Sequence, residues 1–193
     1  MRHTIRKWFW AWEFDKEEKW LTECAAKGLA LVSVGFCRYD FEECTPGAYQ
    51  VRLEFLDNLP SHPESQQYLR FLEETGAEHI GSFMRWVYLR RPTEYGPFDL
   101  FSDNASRVRH LGRIIALIWP LGILNTGIGA YNLGLGVMWG SSANIICGCL
   151  NLSVTVLLGI GLWKLEVGKL CAISYQGQCK NNRALTDILR RTC

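Results

Sequence analysis

Metal binding and acid–base chemistry require histidines, cysteines or carboxylates that converge, and this chain spaces them apart. His3, His62, His79 and His110 have no His-x-x-x-His partner, and Cys147-Gly-Cys149 lacks the Cys-x-x-Cys spacing of a zinc or redox pair. Neither a metal site nor another cofactor is expected. Glu17-Glu18 and Glu73-Glu74 are adjacent carboxylates, but neighbours on a helix point about 100° apart, which suits a solvated face better than an acid–base pair. A nucleophile elbow, a phosphate loop and a dinucleotide glycine pattern are also missing from the sequence. The residues therefore point away from an enzyme.

Binding is the stronger expectation. Tyr49, Val51, Leu53 and Phe55 alternate with Gln50, Arg52 and Glu54, the pattern of a strand buried on one face. Gln50, Arg52 and Glu54 then mark a polar face available to a ligand or partner. Trp8, Trp10 and Trp12 alternate with Phe9 and Ala11 in a second strand-like stretch, and tryptophans sharing the polar face would let an arginine stack on a ring. Periodicity leaves open which set shares it, and whether the rings are core or are covered by a second copy. Nucleic acid is not an expected partner. Tyr49-Gln-Val-Arg-Leu-Glu-Phe55 lacks the Lys/Arg-Gly-Phe signature of RNA-recognition strands, and a net charge of +2 offers phosphates little attraction.

The elements that would position these residues follow in order. Lys7 to Trp12 reads as a central strand, and Asp15-Lys-Glu-Glu18 as a helix start with a reciprocal cap. Trp20, Leu21, Cys24 and Ala25 form the inward stripe of that helix, and Gly28 is its stop. Leu29 to Phe41 is a strand, Pro46-Gly47 a turn, and Tyr49 to Phe55 the third strand. Ser61 to Glu74 is a second helix, with Tyr68, Leu69, Phe71 and Leu72 inward and Gly76 at its end, and His79 to Arg90 is the fourth strand. This β-α-β-β-α-β order predicts an α+β, ferredoxin-like domain over residues 1–92, with two helices covering one face of a four-stranded sheet. Residues 93–110 form a linker and juxtamembrane segment, where Phe98, Leu100 and Phe101 are expected at a lipid interface.

From Ile114 to Trp163 the chain has no Asp, Glu, Lys, Arg or His. At about 1.5 Å per residue such a helical run extends roughly 75 Å, enough to cross a ~30 Å hydrocarbon core twice. Residues 111–164 thus read as a transmembrane helical hairpin, and residues 165–193 as a basic cytoplasmic tail whose Leu185, Ile188 and Leu189 suit an anionic bilayer surface. Arg107, Arg109 and Arg113 precede the uncharged run and Lys164 and Lys169 follow it, which predicts a multi-pass protein of the cell membrane with both termini cytoplasmic. Trp8 to Trp12 is too short for a signal-peptide core. The eight cysteines then read as reduced, small apolar residues. Within the hairpin, Gly136 and Gly140 would allow close helix approach, Asn125, Asn132, Asn144 and Asn151 would seek partners away from lipid, and Pro120 would loosen the first span.

Phe14-Asp-Lys-Glu-Glu-Lys-Trp-Leu-Thr-Glu-Cys-Ala-Ala-Lys-Gly-Leu29, followed by Leu31-Val-Ser-Val-Gly-Phe-Cys-Arg-Tyr-Asp-Phe41, resembles an uncharacterised bacterial family, number 2812 among the domains of unknown function. The resemblance spans Arg6 to Arg91. It implies a small cytoplasmic domain followed by membrane helices in Gram-positive bacteria, often encoded beside a PadR-type regulator, and so a membrane-linked response system. It carries over no catalytic residues. The expected function is a membrane-anchored, non-enzymatic regulatory or adaptor protein that binds a partner or small ligand through its cytoplasmic domain. Its partners would be the bilayer and a protein or a second copy of itself. The alternative is an accessory subunit of a membrane exporter.

Overall fold

The first strand, β1, is Arg2–Arg6 rather than the tryptophan-rich stretch after it. Residues 7–10 are irregular and Ala11–Glu13 form a single 3-10 turn leading into helix α1, Phe14–Ala26. Five large rings in seven residues are too bulky to alternate on a pleat, and the chain packs them ring against ring instead. In the computed structural model, residues 2–100 and 104–192 are described, with side chains as far as Ser174, and the chain divides into two units, Met1–Ser102 and Asp103–Cys193.

In the first unit α1 is followed by β2 (Leu29–Gly35), β3 (Arg38–Glu43), β4 (Tyr49–Phe55), α2 (Pro63–Glu74), β5 (Glu78–Phe83) and β6 (Trp86–Pro92). The unit is α+β, but in place of one four-stranded sheet it forms two antiparallel three-stranded sheets, ordered β1-β3-β2 and β4-β6-β5. The ferredoxin-like arrangement fails because each long segment read as one strand folds back on itself as a hairpin. The turns fall on Phe36-Cys37 and Met84-Arg85, where Cys37 (φ 52°) and Met84 (φ 55°) adopt a left-handed conformation normally left to Gly or Asn.

The same plan occurs twice. Each half is β-α-β-β with its third strand central. Leu21 and Cys24 of α1 correspond to Leu69 and Leu72 of α2, all buried. Gly28 (φ 84°) and Gly76 (φ 86°) follow the two helices, the second strands carry irregularities at Leu31/Ser33 and His79/Gly81, and Phe36-Cys-Arg38 answers to Phe83-Met-Arg85. The first unit is thus a tandem duplication. The two sheets meet along β2 and β5, where the Arg90 guanidinium donates to the Leu31 carbonyl at 2.8 Å.

Both helices end where the sequence puts their stops, yet the two glycines differ in surroundings. A Cβ at Gly28 would lie 2.8 Å from the Cys44 carbonyl oxygen, whereas one at Gly76 meets nothing within 4 Å. Gly28→Ala is expected to cost about 2–4 kcal/mol, the left-handed backbone plus the clash, and Gly76→Ala about 1–2 kcal/mol from the backbone alone. Urea unfolding of the two variants checks this; equal losses would mean that Cys44 gives way.

Other differences are local. The first helix begins at Phe14 with Glu13 at its cap position, so Asp15 lies within the first turn rather than at the cap. Phe71 is exposed rather than inward. Phe98 and Leu100 do not face lipid: Phe98 is buried in a core with Leu69, Leu72, Val87 and Leu89, and Leu100 packs against it. Phe101 and the side chains of the tail, including Leu185, Ile188 and Leu189, lie outside the described residues.

The second unit is two helices, α3 (Asn104–Trp139) and α4 (Ser142–Thr192), both with stretches long and apolar enough to cross a membrane. They run antiparallel, since Gly136 packs on Ile145, Gly129 on Leu152, and the Thr126 and Thr155 hydroxyls lie 3.4 Å apart. Gly136 approaches its partner helix as expected, but Gly140 does not: at φ 64° it makes the turn between the helices. Pro120 lies inside α3 without ending it.

Candidate functional site

The polar residues of β4 are occupied within the fold. Gln50 accepts from the Phe98 N–H at 2.9 Å and donates to the Gly96 carbonyl at 3.2 Å, clamping the segment that carries Phe98 into the core. Arg52 pairs with Glu18 (3.4 Å) and Asp99 (3.8 Å), and Glu54 is buried. Cross-strand pairing places these residues opposite Arg91, Leu89 and Val87, on the sheet face covered by α2 and Phe98. Gln50 and Arg52 are half-buried and Glu54 buried, so these side chains are engaged within the fold rather than presented on a free polar face. The Glu18 carboxylate also accepts from the Leu53 N–H at 3.1 Å along the edge of β4.

The tryptophans go elsewhere. Trp8 meets Trp10 edge-on at 5.2 Å and Phe36 at 5.7 Å, Trp10 stacks flat on Trp12 at 5.1 Å, and Phe36 meets Phe83 at 5.6 Å. The tips of the two hairpins and the irregular stretch before α1 therefore join into one aromatic surface. It is open: Trp8 is 53 %, Phe36 66 % and Met84 67 % exposed. Contiguous exposed apolar patches on small domains are where interaction sites are commonly found, which makes this surface the candidate. The residues beside it in the chain, Arg6, Lys7, Arg38 and Arg85, are basic. Lys7 lies over the rings of Phe9 and Trp20, at 4.9 and 4.6 Å, which joins the patch to the aromatic interior.

Behind the patch is a buried carboxylate that, along the sequence, looks like part of a solvated helix face. Glu17 is buried and accepts from the hydroxyls of Tyr39 (2.7 Å) and Tyr88 (2.6 Å), one from each sheet. Burial raises its pKa, while the Tyr88 and Tyr39 hydrogen bonds pull it back. Burial, reinforced by the Glu17 carboxylate, pushes both phenols well above the ordinary tyrosine range. Phe9 and Trp20 pack on Tyr39 and on each other ring against ring, and Phe41 packs on Trp20. The Glu17 cluster is a polar rivet between α1 and both sheets. Among the described residues, no group of three or more His, Cys, Asp or Glu is placed to hold a metal ion.

A family model described as protein of unknown function, DUF2812, matches residues 13–123. The chain belongs to this family. The DUF2812 match begins just before α1, takes in the Glu17 cluster and both hairpin tips, and continues past Arg91 into α3 as far as Ile123. The start of the apolar helix is thus part of the family pattern, not an appendage to it. No curated protein and no solved structure matches the chain.

Proposed function

We propose that the protein is a membrane-anchored, non-enzymatic adaptor whose N-terminal domain holds a protein partner on the aromatic surface formed by Trp8, Trp10, Phe36 and Met84. In this reading α3 and α4 cross the bilayer as a hairpin, and the arginines in the first turns of α3 with the lysines after Trp163 keep both termini cytoplasmic. The observation that carries the proposal is the exposure of Trp8 and Phe36 in contact with each other, with exposed Met84 next in the chain to Phe83, which Phe36 also meets. Arg6 and Lys7, both exposed beside it, suit a partner segment that is apolar with acidic residues at its margin. The duplication gives the surface its rigidity, since each half contributes one tip.

A photo-crosslinking residue in place of Met84, in the full chain in its own membranes, tests this. It is expected to trap one protein through an apolar segment flanked by Asp or Glu, and Phe36→Ser is expected to lower the yield at least about tenfold, as loss of an interface hot spot does. Adducts with lipid alone, or a yield indifferent to Phe36, would sink the reading. A trapped transporter subunit would support the accessory-exporter reading instead.

A further inference from the structure

The hairpin carries a repeated tetrapeptide: Gly122-Ile-Leu-Asn125, Gly129-Ala-Tyr-Asn132 and Gly148-Cys-Leu-Asn151. The glycines are buried. At Gly129 an added Cβ would meet Leu152, and at Gly148 it would meet Leu133. At about 100° per residue, a step of three puts each asparagine roughly 60° to the same side of its glycine. Asn125 and Asn132, and Asn144 and Asn151, stand seven residues apart on their helices, about two turns, and so keep the same phase. Two antiparallel helices are related by a twofold axis perpendicular to their common plane, and such an axis leaves that side unchanged. All four asparagines therefore line one edge of the hairpin, where each is half-buried. The opposite edge is filled by Leu133 and Leu152 packing across to the other helix.

Asn125, Asn132 and Asn151 each donate one amide N–H to the carbonyl four residues back, at 2.9 Å in all three cases. An amide has two N–H donors and an oxygen that accepts twice, so each of these side chains keeps capacity for a partner. Lipid tails have nothing to offer it, and polar groups on a spanning helix are satisfied by other helices.

We infer that this asparagine edge is the seam along which two copies of the chain associate in the membrane. The inference rests on the reading of α3 and α4 as a bilayer-spanning hairpin. A second copy is the fitting occupant because an amide is both donor and acceptor. A row of amides is complementary to itself, as the isologous contact of a twofold dimer requires. A different partner would need its own row of donors and acceptors in matching register.

The test is resonance energy transfer between donor- and acceptor-labelled full chains in phosphatidylcholine/phosphatidylglycerol vesicles, followed on dilution with lipid. The wild-type chain is expected to dimerise. Asn125→Leu with Asn132→Leu and Asn151→Leu is expected to weaken association at least about tenfold while leaving insertion intact, since leucine suits lipid better than asparagine. Ile123→Ala with Val137→Ala, each one residue after a buried glycine and so turned to the other edge, is expected to leave association unchanged. A wild-type chain that stays monomeric as protein is concentrated in the vesicles overturns the seam, as does a leucine variant that dimerises like wild type. Retention of the wild-type chain on alkaline washing separates the two readings: a chain washed off its membranes would overturn the spanning hairpin itself.

Discussion

Glu17→Ala is expected to destabilise the N-terminal domain by about 2–4 kcal/mol, because it leaves two buried phenols, Tyr39 and Tyr88, without their common acceptor. Glu17→Gln keeps an oxygen where both hydroxyls donate, and is expected to recover most of that loss. Unfolding of the full chain in mild detergent, followed by near-ultraviolet circular dichroism of the tryptophans, distinguishes the two. Equal losses for both variants would show that the charge matters and not the acceptor. The cluster also sets a pH dependence. Both phenols are held above the ordinary range, so near pH 10, where unfolded tyrosines release protons, the folded chain still holds them. The folded state then binds more protons, and stability falls as pH rises through and beyond that point. Glu17, also raised, acts in the same sense at lower pH: its contribution is complete below the ordinary glutamate range and declines as pH climbs through its raised value. Tyr39→Phe with Tyr88→Phe should flatten the alkaline decline.

Gly148→Leu is expected to break the hairpin packing. A Cβ at position 148 would stand 2.6 Å from the Leu133 side chain and 3.0 Å from the Gly129 carbonyl oxygen, and the second neighbour is backbone that cannot swing aside. Overpacking of this kind costs about 1–3 kcal/mol or more. Cysteines at positions 126 and 155, where the threonine hydroxyls lie 3.4 Å apart, report it directly in a chain whose Cys147 and Cys149 are replaced by Ser. The cross-link is expected to form in the parent and to fall roughly tenfold with Gly148→Leu. Gly127→Leu, at a position with nothing within 4 Å, should leave it unchanged. If Gly148→Leu cross-links as well as the parent, the helices are not held by this contact.

What the sequence discloses here is local, and what it hides is not. The helix stops at Gly28 and Gly76, the uncharged run from Ile114 to Trp163 and the inward Leu21, Cys24 and Ala25 are visible because each follows from neighbours in the chain. The two hairpin turns stay hidden because Cys37 and Met84 occupy a backbone region for which neither residue type is a signal. Without them six strands merge into four. The duplication leaves its own trace, Leu21, Cys24, Gly28 and Phe36-Cys-Arg38 recurring in order as Leu69, Leu72, Gly76 and Phe83-Met-Arg85, but without the turns it has no frame. Arg52 and Glu54 look exposed because alternation describes a strand in isolation and cannot see Phe98 returning to cover it. Glu17 resembles its solvated neighbours for the same reason, since its two partners lie 22 and 71 residues away in the chain.

A sheet rim with unpaired N–H and C=O groups is a template on which another chain can add a strand, and crowding at a membrane makes that hazard worse. Here β2 and β5 turn their rims toward each other, and Glu18 occupies the Leu53 N–H on the rim of β4. The rim of β1 is five residues long and carries the exposed charges of Arg2 and Arg6. A newcomer docking there would have to bury two guanidinium groups for a handful of backbone bonds. Exposed rings at the hairpin tips therefore need not bring fibril-like growth along the strands.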